Sequence, residues 1–198
     1  MTRFQRFARA LGRDDRATAV TEFALTAPLF LLILMGIFDY SWQMYAKQVL
    51  SGAVAKVGRA STLEGNASSQ TALDADVRAK VQKVFNGATV TFTRKAYDSY
   101  DEIGDPENYT DSNSNGRYDS GECFQDSNGN GSWDTDRGQA GNGGADDVVV
   151  YTASMEVTRV LPVWKMLGQA QNKTITASTV LRNQPYNAAT SVNTVICT

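Results

Sequence analysis

The feature that most constrains this chain is an uncharged apolar segment near its N-terminus. Residues 23–38 read FALTAPLFLLILMGIF and contain no charged side chain. Together with Ala19, Val20 and Thr21, the segment reaches the roughly 20 residues that an α-helix needs to cross the hydrocarbon core of a bilayer. The sequence therefore predicts one membrane-spanning helix over about residues 20–38.

The charges that flank this segment predict its orientation. Residues 1–17 contain five arginines and two aspartates, a formal charge of +3. Basic flanks stay in the cytoplasm, which places the N-terminus inside and the rest of the chain outside. A cleaved secretory signal peptide also joins a basic start to an apolar run. The run is long for a signal peptide, and no A-x-A-like site follows it in YSWQMYAKQ, so a retained single span is favoured.

Apolar spacing beyond the span predicts an α+β head. Leu50, Val54 and Val57 lie on one helix face, which extends the long helix from about residue 19 to about residue 61. A second helical pattern, residues 73–85, stops at Asn86–Gly87, a favourable helix end. Three later segments alternate apolar and polar residues, as half-buried strands do: 89–93, 149–157 and 175–181. We therefore expect the long helix to pack on a small antiparallel sheet.

Residues 101–147 form a strongly acidic insert in this head. They contain twelve acids against Arg117 and Arg137, a formal charge of −10, and many Asn, Ser and Gly residues. Such a segment buries little apolar surface, so we expect it to be disordered unless cations bind it.

The first part of the insert matches a calcium-binding loop. Residues 111–122 read DSNSNGRYDSGE and satisfy every ligand position of the twelve-residue pattern. Alternate side chains on such a tight loop converge on one point and supply oxygens, which calcium prefers. The expected ligands are Asp111, Asn113, Asn115, Asp119, Glu122 and the carbonyl of Arg117. The alternative is a solvated acidic loop that binds nothing.

A second loop follows at once. Residues 126–137, DSNGNGSWDTDR, repeat six of the twelve positions, and Tyr118 and Trp133 share position 8, so we expect these two rings to pack together when an ion is bound. The last position is Arg137, so this loop lacks its bidentate acid unless Asp136 or the pair Asp146–Asp147 replaces it. Without flanking helices, the loops resemble those of dockerin or thrombospondin type 3 modules. We expect one or two structural calcium ions. The second set of ligands is Asp126, Asn128, Asn130, Ser132, Asp134 and Asp136.

Cysteine and histidine counts restrict the chemistry further. The chain has no His, which excludes Ser-His-Asp catalysis and every His-bearing zinc site. Its two cysteines, Cys123 and Cys197, are too few for a Cys-only zinc site. On the outer side of a membrane two such cysteines are expected to pair, the alternative being two free thiols. With no nucleophile beside a base and a net charge of −2, we expect neither an enzyme nor a nucleic-acid-binding protein.

Glu22 lies at the start of the apolar segment, where a carboxylate is costly to insert. Either it reaches back to the headgroups, or it pairs with a cation. Cleavage between Ala17 and Thr18 would supply that cation, because the new α-amino group of one subunit can pair with Glu22 of its neighbour. The spacing of the residues by itself leaves the two readings open.

Two stretches of the sequence resemble a known family. The N-terminal one contains Ala17, Thr18, the run E-F-A-L at residues 22–25 and Pro28; the other is ITASTVLRNQPY at residues 175–186. Together, over about residues 12–60 and 146–186, they resemble type IV prepilins, and most closely the TadE-like minor pilins, or pseudopilins, of tight-adherence pili. The family usually has Gly before the cleavage site, where this chain has Ala17.

The resemblance implies a pilin-like fold and a set of partners. It implies processing by a prepilin peptidase between Ala17 and Thr18, with Glu22 and Phe23 acting in assembly. It implies other pilins and pseudopilins and an inner-membrane pilus platform as partners. The expected location is the bacterial inner membrane, with the head in the periplasm or on the surface in a pilus.

The sequence thus predicts a leader, a long helix, an interrupted head and a non-enzymatic role. The expected segments are 1–17 (cleaved leader), 18–62 (long helix), 63–100 (head), 101–147 (calcium-loop insert) and 148–198 (head strands and tail). Our first interpretation is a minor pilin with a calcium-ordered insert. The second is a membrane-anchored periplasmic calcium-binding adhesion or interaction module outside any filament, which has no need of Glu22.

Overall fold

The computed structural model describes residues 15–61, 70–184 and 193–197. Its first element is one long helix, α1 (Asp15–Ser61), which contains Pro28. Among the described residues, α1 is the one helix long and apolar enough to cross a membrane. The predicted long helix is therefore confirmed. The predicted loop at residues 64–69 and most of the predicted leader lie outside the described residues.

Helices and strands follow α1 in an α+β order. After α2 (Gln70–Val84) come β1 (Thr89–Tyr97), β2 (Phe124–Asp126), β3 (Gln139–Ala140), β4 (Val148–Thr158), α3 (Val163–Met166), β5 (Asn172–Arg182) and β6 (Thr194–Ile196). Gly87 follows α2 with φ 84°, a backbone conformation that glycine adopts readily.

The main sheet is antiparallel with strand order β3-β1-β4-β5. β4 is the central long strand: Phe92 of β1 is opposite Ala153, and Ile175 of β5 is opposite Met155. β2 and β6 form a separate two-stranded sheet. The predicted α+β class, a long helix with a small antiparallel sheet, is confirmed.

The structure divides into two compact units. The first comprises residues up to 44 together with 159–171, and the second comprises 45–158 and the chain from 172 onward. The core of the second unit joins the distal part of α1, α2 and the main sheet. Leu50, Val54 and Val57, the predicted helix face, are all buried there.

Gly58 lets the distal part of α1 approach the sheet. A Cβ atom at this position would lie 2.7 Å from Cγ2 of Thr179 on β5. A side chain here would therefore force Thr179 or the helix to move.

Polar contacts join α2 to β1 and β4, the two middle strands of the main sheet. Arg94 donates two hydrogen bonds to Asp74, at 3.1 and 2.5 Å, and the Tyr151 hydroxyl donates to the same carboxylate at 2.7 Å. Burial, and then the hydrogen bond to Asp74, raise the pKa of Tyr151 well above its usual value. All three groups are thereby fixed in one arrangement.

Candidate metal-binding insert

The two predicted loops are joined at a short antiparallel contact. Tyr109 and Phe124 form a β-bridge. On either side of it, Thr110 N–H donates to the Cys123 carbonyl and Gln125 N–H donates to the Asn108 carbonyl, both at 2.8 Å. This contact brings the start of loop one beside its own last residue, Glu122, and brings Glu107 beside the start of loop two.

The cysteines lie next to this contact. Cys123 and Cys197 form a disulfide, which confirms the predicted pairing. β2 and β6, which flank the two cysteines, pair antiparallel, with Phe124 opposite Ile196. The disulfide thus fastens the chain between the two loops to the C-terminal segment.

Loop one, residues 111–122, is organised around side-chain acceptors. The Asp111 carboxylate accepts from Asn115 N–H at 3.1 Å and from Gly116 N–H at 2.8 Å. Gly116 has φ 74°, which the turn requires at this position. The side-chain oxygen of Asn113 accepts from Asn115 N–H at 3.0 Å.

Asp119 accepts hydrogen bonds from two side-chain amides of loop one. The Nδ2 groups of Asn113 and Asn115 donate to its Oδ2 at 2.7 and 2.6 Å. These hydrogen bonds, that of Asn113 first, lower the pKa of Asp119. The predicted ligand side chains at positions 1, 3, 5 and 9 therefore belong to one hydrogen-bonded cluster.

Loop two, residues 126–137, repeats this arrangement. Asp126 accepts from Asn130 N–H at 3.2 Å and from Gly131 N–H at 2.8 Å. Asn128 donates to Asp134 Oδ2 at 2.8 Å, and Asn130 donates to the same oxygen. The local conformation of loop one thus recurs with the sequence pattern.

In the calcium-loop pattern the acid at position 12 completes the loop, and we call it the closing acid. The two loops obtain their closing acids from different places in the sequence. In loop one, Glu122 accepts from Ser112 N–H at 2.8 Å and Asp119 N–H at 3.0 Å, at positions 2 and 9. In loop two, the same two positions are Ser127 and Asp134, and both donate to Glu107, at 2.8 and 3.1 Å. Glu107 is fully buried.

The acids expected to complete loop two have other partners. Asp136 accepts from Lys95 Nζ at 2.5 Å and from the Tyr97 hydroxyl at 2.9 Å. Asp146 pairs with Arg182 at 3.5 Å, and Asp147 accepts from Gly144 N–H. None of these three acids takes the place in loop two that Glu122 takes in loop one; Glu107 takes it.

A sequence signal for Glu107 exists, but it extends outside the loop pattern. Residues 107–121 and 122–136 read ENYTDSNSNGRYDSG and ECFQDSNGNGSWDTD, two tandem copies of fifteen residues that each begin with Glu. Glu107 of the first copy closes the loop of the second, and Glu122 of the second closes the loop of the first. Each copy thus provides the closing acid for the loop of the other copy.

The aromatic rings confirm this pairing of the copies. Tyr118 and Trp133 stack with centroids 4.7 Å apart and an interplanar angle of 14°, as predicted from their shared position. Tyr109 meets both rings edge-on at 6.0 Å. Trp133 Nε1 also donates to the Glu107 carbonyl at 2.9 Å, which ties the ring to the closing residue.

Loop two ends on the main sheet. The Lys95 ammonium and the Tyr97 hydroxyl hold Asp136, and β3 pairs with Lys95 and Ala96 of β1. Burial opposes ionisation of Asp136, but its hydrogen bonds, that of Lys95 first, lower its pKa overall. Burial and the bond to Asp136 raise the pKa of Tyr97 to about 12.

The carboxylates of the insert are held by hydrogen bonds from the protein. In the part of the chain that the structure describes, no three acidic or cysteine side chains come together as a ready-made metal site. Each loop instead links an aspartate to asparagine side chains by hydrogen bonds, and these carboxylate and amide groups supply oxygen atoms. That is an oxygen-rich donor set, which suits calcium more than zinc or copper.

The second predicted site lies on α1. The Thr21 hydroxyl donates to the Thr18 carbonyl at 2.8 Å. The Thr26 hydroxyl donates to the Glu22 carbonyl at 3.0 Å. The side chains of Glu22 and Phe23 are exposed on the helix surface. Ala17 is helical, but its side chain lies outside the described part.

Comparison with known families supports the predicted resemblance. The family model described as TadE-like protein matches residues 17–59, which include Thr18, Glu22 and Pro28. The match confirms the resemblance along α1 and indicates a pilus-associated protein; it covers less than a quarter of the chain. Residues 146–186 lie outside it, so the resemblance there stays a prediction. Neither the curated proteins nor the solved structures contain a match to this chain.

Proposed function

We propose that this chain is a non-enzymatic minor pilin, or pseudopilin, that assembles through α1 with other pilins on an inner-membrane platform. The observation that supports it is the TadE-like match on a helix that is apolar, exposed and long enough to span a membrane. The exposed Glu22 at the start of the apolar segment gives that helix a charged group that a simple anchor does not need.

In this proposal a prepilin peptidase cleaves between Ala17 and Thr18. The head then lies outside the cytoplasm, and the α-amino group of Thr18 pairs with Glu22 of a neighbouring subunit. Cleavage also removes the +3 leader, which would otherwise hold the N-terminus at the cytoplasmic face.

The test combines N-terminal sequencing with variants at Glu22. Protein extracted from membranes should begin at Thr18. Glu22→Gln should insert normally but lose incorporation into pili, while Glu22→Asp, which keeps the charge, should recover part of it. An intact leader, or normal incorporation of Glu22→Gln, would contradict the pilin proposal and favour an anchored interaction module.

The proposal includes structural calcium binding by the insert. Its support is that both loops have the same hydrogen-bonded cluster. In each loop a glutamate carboxylate accepts hydrogen bonds from the backbone N–H groups at positions 2 and 9. Loop one would use Asp111, Asn113, Asn115, Asp119 and Glu122. Loop two would use Asp126, Asn128, Asn130, Asp134 and, in place of a residue at position 12, Glu107. The ion would offset the repulsion among the acids of the insert.

Calcium binding is tested on the full chain in detergent. We expect a dissociation constant of about 10⁻⁴–10⁻³ M, typical of extracellular modules. At ten times that concentration, each site should stabilise the fold by roughly 1.4 kcal/mol. Asp111→Asn and Asp126→Asn should each remove one site, whereas Asp101→Asn, an exposed insert acid outside the loops, should remove none. Unchanged unfolding and Trp fluorescence in millimolar calcium would contradict this part only.

A further inference from the structure

Residues 159–171, between β4 and β5, form a short segment with an unusual surface. They read RVLPVWKMLGQAQ, with two basic residues and no acid. Val160, Met166 and Leu167 are 78%, 67% and 60% exposed. Exposed apolar side chains clustered in one short segment mark an interaction surface.

This segment belongs to the same compact unit as the membrane-spanning part of α1. Asp39 is the first charged residue after the apolar run, and Arg159 pairs with it at 3.9 Å. Arg159 also donates to Gln169 at 2.8 Å, while its backbone N–H donates to the Gln171 carbonyl at 3.0 Å. The two ends of the segment are thereby held at the level where α1 leaves the apolar run.

The apolar surface of the segment is continuous with that of the helix. Val160 and Leu161 line one groove with Phe38 and Trp42 of α1. Phe38 is itself exposed, at the end of the predicted span. The segment therefore continues the exposed apolar surface of α1 at the end of the predicted span, where Trp and Lys side chains favour a membrane interface.

We propose that residues 159–171 insert into the surface of the bilayer that holds α1, with the phospholipids of the outer leaflet as their partner. Met166 and Leu167 enter the acyl-chain boundary, Trp164 lies at headgroup depth, and Lys165 faces anionic phosphate. The exposed Lys165 has no acid in its segment to offset its charge, so it complements an anionic lipid surface. The inference rests on the membrane anchoring in the proposed function.

The test measures the depth of Trp164 in the full chain, reconstituted in vesicles of phosphatidylcholine and phosphatidylglycerol. Three single-tryptophan forms, made by Trp→Phe at the other two positions, carry Trp42, Trp133 or Trp164. Nitroxide-labelled lipids then quench each residue according to depth. Trp42 reports anchoring, and Trp133 gives the background. We expect Trp164 to be quenched by shallow nitroxides at least about half as strongly as Trp42.

Substitutions then separate insertion from mere proximity. Met166→Asp with Leu167→Asp should reduce the quenching of Trp164 about threefold or more and leave that of Trp42 unchanged. Val195→Asp, at an equally exposed residue of β6, should change neither. Circular dichroism checks that each variant folds.

Two results would overturn the inference while anchoring stands. One is background-level quenching of Trp164 beside strong quenching of Trp42. The other is shallow quenching of Trp164 that stays unchanged in Met166→Asp with Leu167→Asp, because Trp164 would then lie near lipid without insertion of the segment. Loss of Trp42 quenching would instead refute membrane anchoring itself.

Discussion

Loop one and loop two of the insert have the same local sequence pattern but different surroundings. Loop one, residues 111–122, is mostly exposed, and its closing acid is its own last residue, Glu122. Loop two, residues 126–137, begins at the buried Asp126, ends on the main sheet, and is closed by Glu107 from before loop one. The comparison teaches that a twelve-residue pattern specifies a loop conformation without specifying which residue completes it.

The exchange of closing acids also couples the two loops. Glu107 N–H donates to the Asp134 carbonyl at 3.0 Å, and Glu122 N–H donates to the Asp119 carbonyl at 3.1 Å, so each Glu contacts the equivalent position of its loop. Neither loop can open without freeing backbone groups around a carboxylate that belongs to the other copy. We therefore expect them to order together.

We expect the largest loss of stability from removing the disulfide, which has one of its cysteines in the second copy. Cys123 belongs to residues 122–136, and the matching residue of the first copy is Asn108. Cys123→Ser with Cys197→Ser should destabilise the head by about 4 kcal/mol in the chain-entropy model, given a separation of 74 residues. Urea unfolding measures this. An equal midpoint in the reduced parent and the double variant is the control.

The comparison is sharpened by removing the closing acids. Glu107→Ala leaves the partly buried N–H groups of Ser127 and Asp134 without their acceptor and should cost about 3 kcal/mol. Glu122→Ala should cost about 2 kcal/mol, because the loop around it is more exposed.

Amide hydrogen exchange shows where each loss falls. Glu107→Ala should raise exchange first in loop two, although residue 107 precedes loop one. Increased exchange confined to loop one would show that Glu107 does not close loop two. Asp101→Ala, at an exposed insert acid that lies in neither loop, provides the control.

A smaller effect should come from the rings between the loops. Tyr118→Leu, Trp133→Leu and the double variant form a cycle whose coupling energy should be about 1 kcal/mol, the value typical of packed aromatic pairs. Thermal unfolding of the four proteins measures it. A coupling near zero would mean that the two loops order independently.

The smallest effect is the pH dependence at the end of loop two. The pKa of Asp136 is lowered in the fold, so its contribution is present above the ordinary Asp pKa of about 4 and is lost as pH falls below it. The pKa of Tyr97 is raised to about 12, so its contribution is present below about pH 10 and is lost between pH 10 and 12. Asp136→Asn should remove the loss of stability at both low and high pH. It should also lower the free energy of unfolding by about 1 kcal/mol near neutral pH.

That pH dependence also distinguishes the loops. Asp136 occupies the last position of the second copy, where the first copy has Gly121. Loop one therefore has no matching group at this position. If the pH response of Asp136→Asn equals that of the parent protein, the contact with Lys95 and Tyr97 does not hold loop two to the sheet.

Much of the fold could be predicted because its signals are local. α1, α2, β1, β4 and β5 are long enough for a period of 3.6 or 2 residues to repeat several times. β2, β3 and β6 have two or three residues each, too few for any period, and they pair with distant segments. They were missed for that reason. So was α3, of four residues.

The apolar helix, the class of the fold, the two loop conformations and the cysteine pair could all be predicted from the order of the residues. These follow from spacing within a few residues, where backbone geometry decides which side chains meet. Three contacts are visible only in the folded chain: Glu107 closes loop two, Asp136 binds the sheet, and residues 159–171 lie beside Asp39. Each of these contacts joins residues at least twenty positions apart, and local spacing holds no information about such distances, because they are set by how strands and disulfide bring the segments together.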